Sequence, residues 1–73
     1  MAVTNKLDVW RRCTAAEAGT IDASLNAAPV KLRRIWAEST VLDHDAPEFA
    51  NFMRIVAYGG IGEARAAEIL AAS

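Results

Sequence analysis

Apolar residues recur at helical spacing in the last third of the chain, on both sides of a glycine-rich turn. Four of them follow the i, i+3, i+4, i+7 pattern of a helix with one buried face: Phe49, Phe52, Met53 and Val56. This pattern predicts a helix over about residues 46–57. A second apolar run predicts a helix over about residues 63–72, with Ile69 and Leu70 on one face. The turn between them must bend sharply.

Polar caps and glycine stops divide the first part of the chain. Thr4 can accept hydrogen bonds from the first amides of a helix, and Gly19 is a typical stop, so we expect a first helix between them. Thr20 is positioned to cap a short second helix over residues 21–27. The apolar stripe of the first helix is narrow, so its packing face is small.

Prolines mark the start of two further helices. Pro29 suits the first turn of a third helix, over about residues 29–39, because its missing amide hydrogen is not needed there. Asp45 and Glu48 have the spacing of a capping box for the fourth helix, and Pro47 would lie in its first turn. We therefore interpret the acidic segment before Pro47 as a loop that connects the third and fourth helices.

The predicted fold class is all-α, because no stretch shows the alternation of a strand. We expect one domain, residues 1–73, forming a small bundle of four or five helices that ends in a helix-hairpin-helix at about residues 47–73. A chain of this size buries about 60% of its unfolded surface, so one core must suffice. Its expected large members are Leu7, Trp10, Leu25, Val30, Leu32, Ile35, Trp36, Phe49, Phe52, Met53, Val56, Ile61, Ile69 and Leu70.

The turn between the last two helices combines glycine with one apolar side chain. Gly60 and Gly62 admit backbone conformations closed to other residues, and at least one of them should have a positive φ. Ile61 lies between them and is expected to enter the core as a wedge. The segment therefore predicts a hairpin whose shape depends on its glycines.

This hairpin resembles that of the actinobacterial integration host factor family, nucleoid-associated proteins that bind DNA. The residues that carry the resemblance are Gly60, Ile61, Gly62, Arg65, Ala66, Ile69 and Leu70. A looser likeness covers about residues 30–70. The resemblance implies a helical fold with a DNA-binding hairpin, in a divergent or phage-encoded relative.

The first functional hypothesis is sequence-independent binding of double-stranded DNA through its backbone. Free amides at the start of a helix form a site for a phosphate, which Gly60, Ile61 and Gly62 would allow to approach. Arg65 would add a charged contact. A neighbouring phosphate would be held by the basic cluster of the third helix: Lys31, Arg33 and Arg34.

The second hypothesis is a helical protein-interaction module or inhibitor that binds a host protein or self-associates. The net charge is −1 and the pI about 5.7, so the overall field does not attract nucleic acid. Glu63 stands in the first turn of the last helix, where it would repel a phosphate. Two tryptophans, Trp10 and Trp36, are typical interface anchors, and exposure of either would favour this hypothesis.

Catalysis, cofactors and metals are not expected. The only histidine, His44, and the only cysteine, Cys13, cannot assemble a metal site or a nucleophile with its base, so we predict a non-enzyme without small-molecule substrate. Cys13 should be a half-buried thiol of the core. No apolar run is long enough for a membrane span and no secretory signal is recognised, so the expected location is cytoplasmic.

Overall fold

The computed structural model describes residues 2–73, most of which lie in five helices. In chain order the elements are β1 (Val3–Asn5), α1 (Lys6–Arg12), α2 (Ala15–Asn26), α3 (Val30–Glu38), β2 (Val41–Asp43), α4 (Pro47–Val56), the hairpin turn (Ala57–Ile61) and α5 (Glu63–Ile69). The predicted dominance of helix is confirmed. As predicted, two helices, α4 and α5, flank the glycine-rich turn.

The prediction of a purely helical chain is wrong, because β1 and β2 pair in an antiparallel sheet with Thr4 opposite Leu42. Thr4 therefore lies in a strand and does not cap a helix. Asn5 caps α1 instead, its Oδ1 accepting a hydrogen bond of 3.0 Å from the amide of Leu7. Each strand has three residues, too few for a visible alternation, and its partner is remote in sequence.

The boundary between α1 and α2 also differs from the prediction. Thr14 and Glu17 form a reciprocal capping box, with Thr14 N–H donating to Glu17 Oε1 at 3.0 Å and Glu17 N–H donating to Thr14 Oγ1 at 3.1 Å. Gly19 lies inside α2 and does not end a helix. Thr20 is no cap either, since its hydroxyl donates to the carbonyl of Ala16. Two satisfied amides at the capping box outweigh the modest cost of one helical glycine.

α3 begins directly after Pro29 and ends one residue before Ser39, close to the predicted bounds. Its C-terminal carbonyls are capped from outside the helix by Lys6, whose Nζ donates to the carbonyl oxygens of Trp36 and, at 2.9 Å, of Ser39. The same ammonium lies 5.0 Å from the centre of the Trp36 ring. A cation at this end of a helix is stabilising because it meets the negative end of the helix dipole.

α4 starts with Pro47 in its first turn, as predicted, but without the predicted capping box. Its N-cap is Ala46, which offers no side-chain hydrogen bond. The carboxylate of Asp43 accepts from the amide of Asp45 at 2.9 Å, so the turn before α4 is fixed by the residue that ends β2. The spacing of the acidic residues did not show that Asp43, rather than Asp45, provides the side-chain acceptor in this turn.

All five helices and the inner face of the sheet contribute side chains to the core. Among the predicted members, Trp36, Phe52, Val56 and Ile69 are buried, whereas Phe49 and Ile61 are only partly buried against them. The predictions for Leu7 and Val30 are wrong: they are 58% and 63% exposed. Three large aliphatic residues that the prediction omitted are buried: Val9, Ile21 and Leu42. No helix within residues 2–73 is long and apolar enough to cross a membrane.

Candidate functional site

The hairpin turn has the backbone geometry that its glycines predicted. Gly60 has φ of 117° and Gly62 has φ of 89°, and no other residue type in the described chain has a positive φ. The turn closes with a hydrogen bond of 2.9 Å from Gly62 N–H to the carbonyl of Ala57. Ile61 packs against the core without being fully buried, so the predicted wedge is only partial.

Gly59 is required for a different reason, which is close approach to α2. A Cβ at this position would lie 2.0 Å from Ser24 Oγ and 2.9 Å from Ser24 Cβ. Its φ is not positive, so no unusual backbone conformation explains the glycine. The hairpin turn is therefore packed against the C-terminal half of α2, a contact that the local sequence did not reveal.

Arg65, predicted to hold a phosphate, is committed to contacts within the protein. Its Nε donates to Glu17 Oε2 at 2.8 Å, and its Nη2 donates to Glu17 Oε1 at 3.0 Å and to the carbonyl of Arg12 at 2.9 Å. Hydrogen bonds from Arg65 hold the pKa of the Glu17 carboxyl at about 2, well below its ordinary value of 4.5. This ion pair ties α5 to the capping box of α2.

A second arginine acts at the other end of α5. Nη1 of Arg12 donates to the carbonyls of Ile69 at 3.0 Å and Ala71 at 2.8 Å. These carbonyls have no helical partner, and the guanidinium satisfies them where α5 ends, before the predicted end at about residue 72. Arg12 and Arg65 therefore hold α5 at both ends.

The structure does not bring the predicted basic cluster to the hairpin. Lys31, Arg33 and Arg34 are exposed on α3, and Lys31 lines a cleft with Pro47 at the start of α4. The hairpin turn follows the opposite end of α4, about 15 Å away at 1.5 Å per residue. The predicted phosphate contacts thus form two separate groups, of which the hairpin group also contains the exposed Glu63.

An exposed apolar surface that the sequence did not indicate lies between α1 and β2. We call it the α1–β2 groove; its apolar lining is Leu7, Trp10 and Val41, and its volume is about 480 Å³. Leu7 is 58% exposed and Val41 47% exposed, and the half-buried Trp10 lines the same groove. Lys6 also borders the groove, but its ammonium is turned to the carbonyls that end α3.

The only histidine and the only cysteine have structural contacts. Thr4 Oγ1 donates to the carbonyl of Leu70 at 2.7 Å, so its single proton is used and His44 Nε2, 2.6 Å away, must be the donor to it. The imidazole stacks on Phe49 at 4.0 Å. Cys13 Sγ–H donates to the carbonyl of Val9, and burial raises the pKa of this thiol. Both side chains therefore take part in contacts that hold the fold together.

No protein-family model, curated protein or solved structure matches this chain. The resemblance of the hairpin to that of the actinobacterial integration host factor family therefore rests on the hairpin residues alone. Function has to be inferred from the geometry of two surfaces, the hairpin turn and the α1–β2 groove.

Proposed function

We propose that this chain is a non-enzymatic protein-interaction module whose partner docks on the α1–β2 groove. The observation that carries the proposal is the exposure of Leu7 and Val41 in one groove that Trp10 also lines. Among the described residues four large apolar side chains are exposed, and two of them, Leu7 and Val41, share one groove with a half-buried tryptophan; such grouping is typical of a docking surface, whereas single exposed residues are not. Aromatic anchors surrounded by aliphatic contacts are typical of interface centres.

The disposition of the cations supports the same proposal. Three of the eight basic side chains, Lys6, Arg12 and Arg65, each donate at least two hydrogen bonds to carbonyls or carboxylates of the protein. They stabilise helix ends, and each would have to give up these hydrogen bonds before it could contact a phosphate. The net charge of −1 provides no long-range attraction to nucleic acid.

The proposal is tested with a photo-crosslinking amino acid introduced at Leu7 in the cells that encode the chain. We expect discrete protein adducts that are lost when unlabelled wild-type protein competes. The matched control carries the same group at Ala23, which is exposed on α2. No adduct from position 7, or the same adducts from position 23, would contradict the proposal.

Sequence-independent DNA binding through the hairpin is a second candidate. It is favoured by the exposure of Gly60 and Gly62, which leaves the turn accessible to a phosphate, and it accords with the family that the hairpin resembles. Arg65 would have to leave Glu17 to take part. In a duplex titration by fluorescence anisotropy, this candidate predicts affinity that falls steeply with salt and tighter binding by Glu63→Lys. No binding by either protein at low salt would exclude it.

A further inference from the structure

The two edges of the sheet differ in whether their backbone groups are paired. Hydrogen bonds from Lys6 N–H to the carbonyl of Thr40 and from His44 N–H to that of Ala2 fix which residues of β2 face β1. By the alternation of an antiparallel ladder, Leu42 faces β1, whereas Val41 and Asp43 direct their backbone groups to the opposite side. That side is the outer edge of β2.

The outer edge of β1 is covered by the chain itself. Ser73 N–H donates to the carbonyl of Val3 at 2.8 Å, and Asn5 N–H donates to Ser73 Oγ at 2.9 Å. The outer edge of β2 has no such cover within residues 2–73. The carbonyl of Asp43 accepts from Ala46 N–H in the following turn, but in the described part of the chain no hydrogen bond outside the β1–β2 ladder involves Val41 N–H, Val41 C=O or Asp43 N–H. These three groups are aligned as a strand edge that another strand can complete.

A small pocket opens beside this edge, on the inner face of the sheet. Its volume is about 110 Å³, and its apolar lining includes Ile35, Phe49 and Phe52. An apolar cavity of about 150 Å³ accommodates benzene, so this pocket has room for one aliphatic side chain. A residue paired opposite Leu42 would point to the same face as Leu42 and hence into the pocket.

The charges around the edge are acidic. Asp43 and Asp45 are exposed, and Glu48 lines the pocket. A second copy of this chain, added edge to edge, would bring two such acidic sets together. A strand with basic side chains would instead place opposite charges across the new pairing, which is favourable.

We propose that the outer edge of β2 binds an extended, basic segment of a partner protein as a third, antiparallel strand. This proposal rests on the proposed protein-interaction function and identifies the chemistry of the partner. The segment pairs with Val41 and Asp43 through three backbone hydrogen bonds. It places a basic residue opposite Asp43, an aliphatic residue opposite Leu42 in the pocket, and an apolar residue opposite Val41 at the rim of the α1–β2 groove. Addition of a strand to a sheet edge is an established mode of peptide recognition.

The test is an NMR titration of the full chain with the peptide acetyl-Lys-Arg-Leu-Val-Thr-Lys-amide, which has the required order of side chains. We expect saturable shifts centred on β2 and slower hydrogen exchange of the Val41 and Asp43 amides. The Leu42 amide should change little, because it already faces β1. A peptide with proline in place of valine should bind more weakly, because it lacks the donor to Val41 C=O.

A charge exchange provides the matched control. Asp43→Lys should weaken binding of the basic peptide about tenfold, since an attractive pair becomes a repulsive one. The same variant should bind the peptide acetyl-Glu-Glu-Leu-Val-Thr-Glu-amide better than the wild type does. A circular dichroism spectrum like that of the wild type shows that the variant is folded.

Three results would overturn the proposal: no saturable shift on β2, equal binding of the acidic and basic peptides by the wild type, or protection of the Val41 and Asp43 amides by raised protein concentration alone. The last result would assign the edge to a second copy. The test is separable from that of the proposed function. If position 7 forms crosslinks but the peptide does not bind, only the proposal of a third strand on β2 is wrong. If the peptide binds but position 7 forms no crosslinks, the edge of β2 is a binding site and the proposal of a partner on the α1–β2 groove is wrong.

Discussion

Gly59 illustrates how a single residue is constrained by a distant helix. A methyl group there would overlap Ser24 on α2, and Ser24 Cβ cannot move away without moving the helix. We expect Gly59→Ala to lower the free energy of unfolding by about 1–3 kcal/mol, the usual cost of overpacking. Ser24→Gly in the same chain should recover much of this loss because it removes both clashing atoms. Urea denaturation of the single and double variants measures the coupling.

Gly19 supplies the control at the same scale. It lies in α2 with ordinary backbone geometry, and nothing lies within 4 Å of a Cβ built there. Gly19→Ala should therefore raise the free energy of unfolding by about 0.5–1 kcal/mol through helix propensity. If both alanine variants destabilised the protein equally, contact with Ser24 would not be the reason for Gly59.

These glycines also show what the sequence can reveal about single residues. Positive φ at Gly60 and Gly62 was predictable, since a sharp turn between two apolar helical runs needs it locally. The requirement for Gly59 was not predictable, because it comes from a helix far away in sequence. The contact of Arg65 with Glu17 was not predictable for the same reason, because the two residues are 48 positions apart in the sequence.

At the scale of elements, the ion pair between Arg65 and Glu17 joins α5 to the start of α2. The folded-state pKa of Glu17 is about 2, against an ordinary value of 4.5. Because the folded pKa is the lower one, this carboxylate stabilises the fold fully above about pH 4.5, and its contribution is lost as the pH falls towards 2.

Glu17→Gln tests this contribution while keeping the capping box with Thr14, since glutamine serves equally at that position. We expect the variant to unfold at lower urea concentration than the wild type at pH 6, and the difference to be much smaller at pH 3. Other carboxylates titrate in both proteins and cancel in the comparison. A difference that does not change between pH 6 and pH 3 would show that the ion pair does not stabilise the fold.

Elements with a strong local signal were the predictable ones. α3 and α4 have amphipathic patterns and an initial proline, and both were placed within about a residue. β1 and β2 were missed, since three-residue strands acquire their identity only by pairing with each other. The α1–β2 groove was missed for the same reason, because Leu7 was assigned to the core while β2 was read as a connector.

At the scale of the whole molecule, Thr4 connects both ends of the chain to its middle. It is fully buried in β1, its hydroxyl donates to the carbonyl of Leu70, and it accepts from His44 at the end of β2. Replacing this hydroxyl with a methyl group leaves the imidazole donor and the carbonyl without their partner. Each buried group left unsatisfied costs about 1–3 kcal/mol.

We therefore expect Thr4→Val, which keeps the shape and the strand propensity of threonine, to lower the free energy of unfolding by about 1–3 kcal/mol. Thr4→Ser keeps the hydroxyl and loses only a methyl group, so it should be the less destabilised of the two. In hydrogen exchange, the valine variant should lose protection first at the Ser73 amide, which bonds to β1. Equal stability of the two variants would mean that the methyl group, rather than the hydrogen-bond network, holds the sheet to the end of α5.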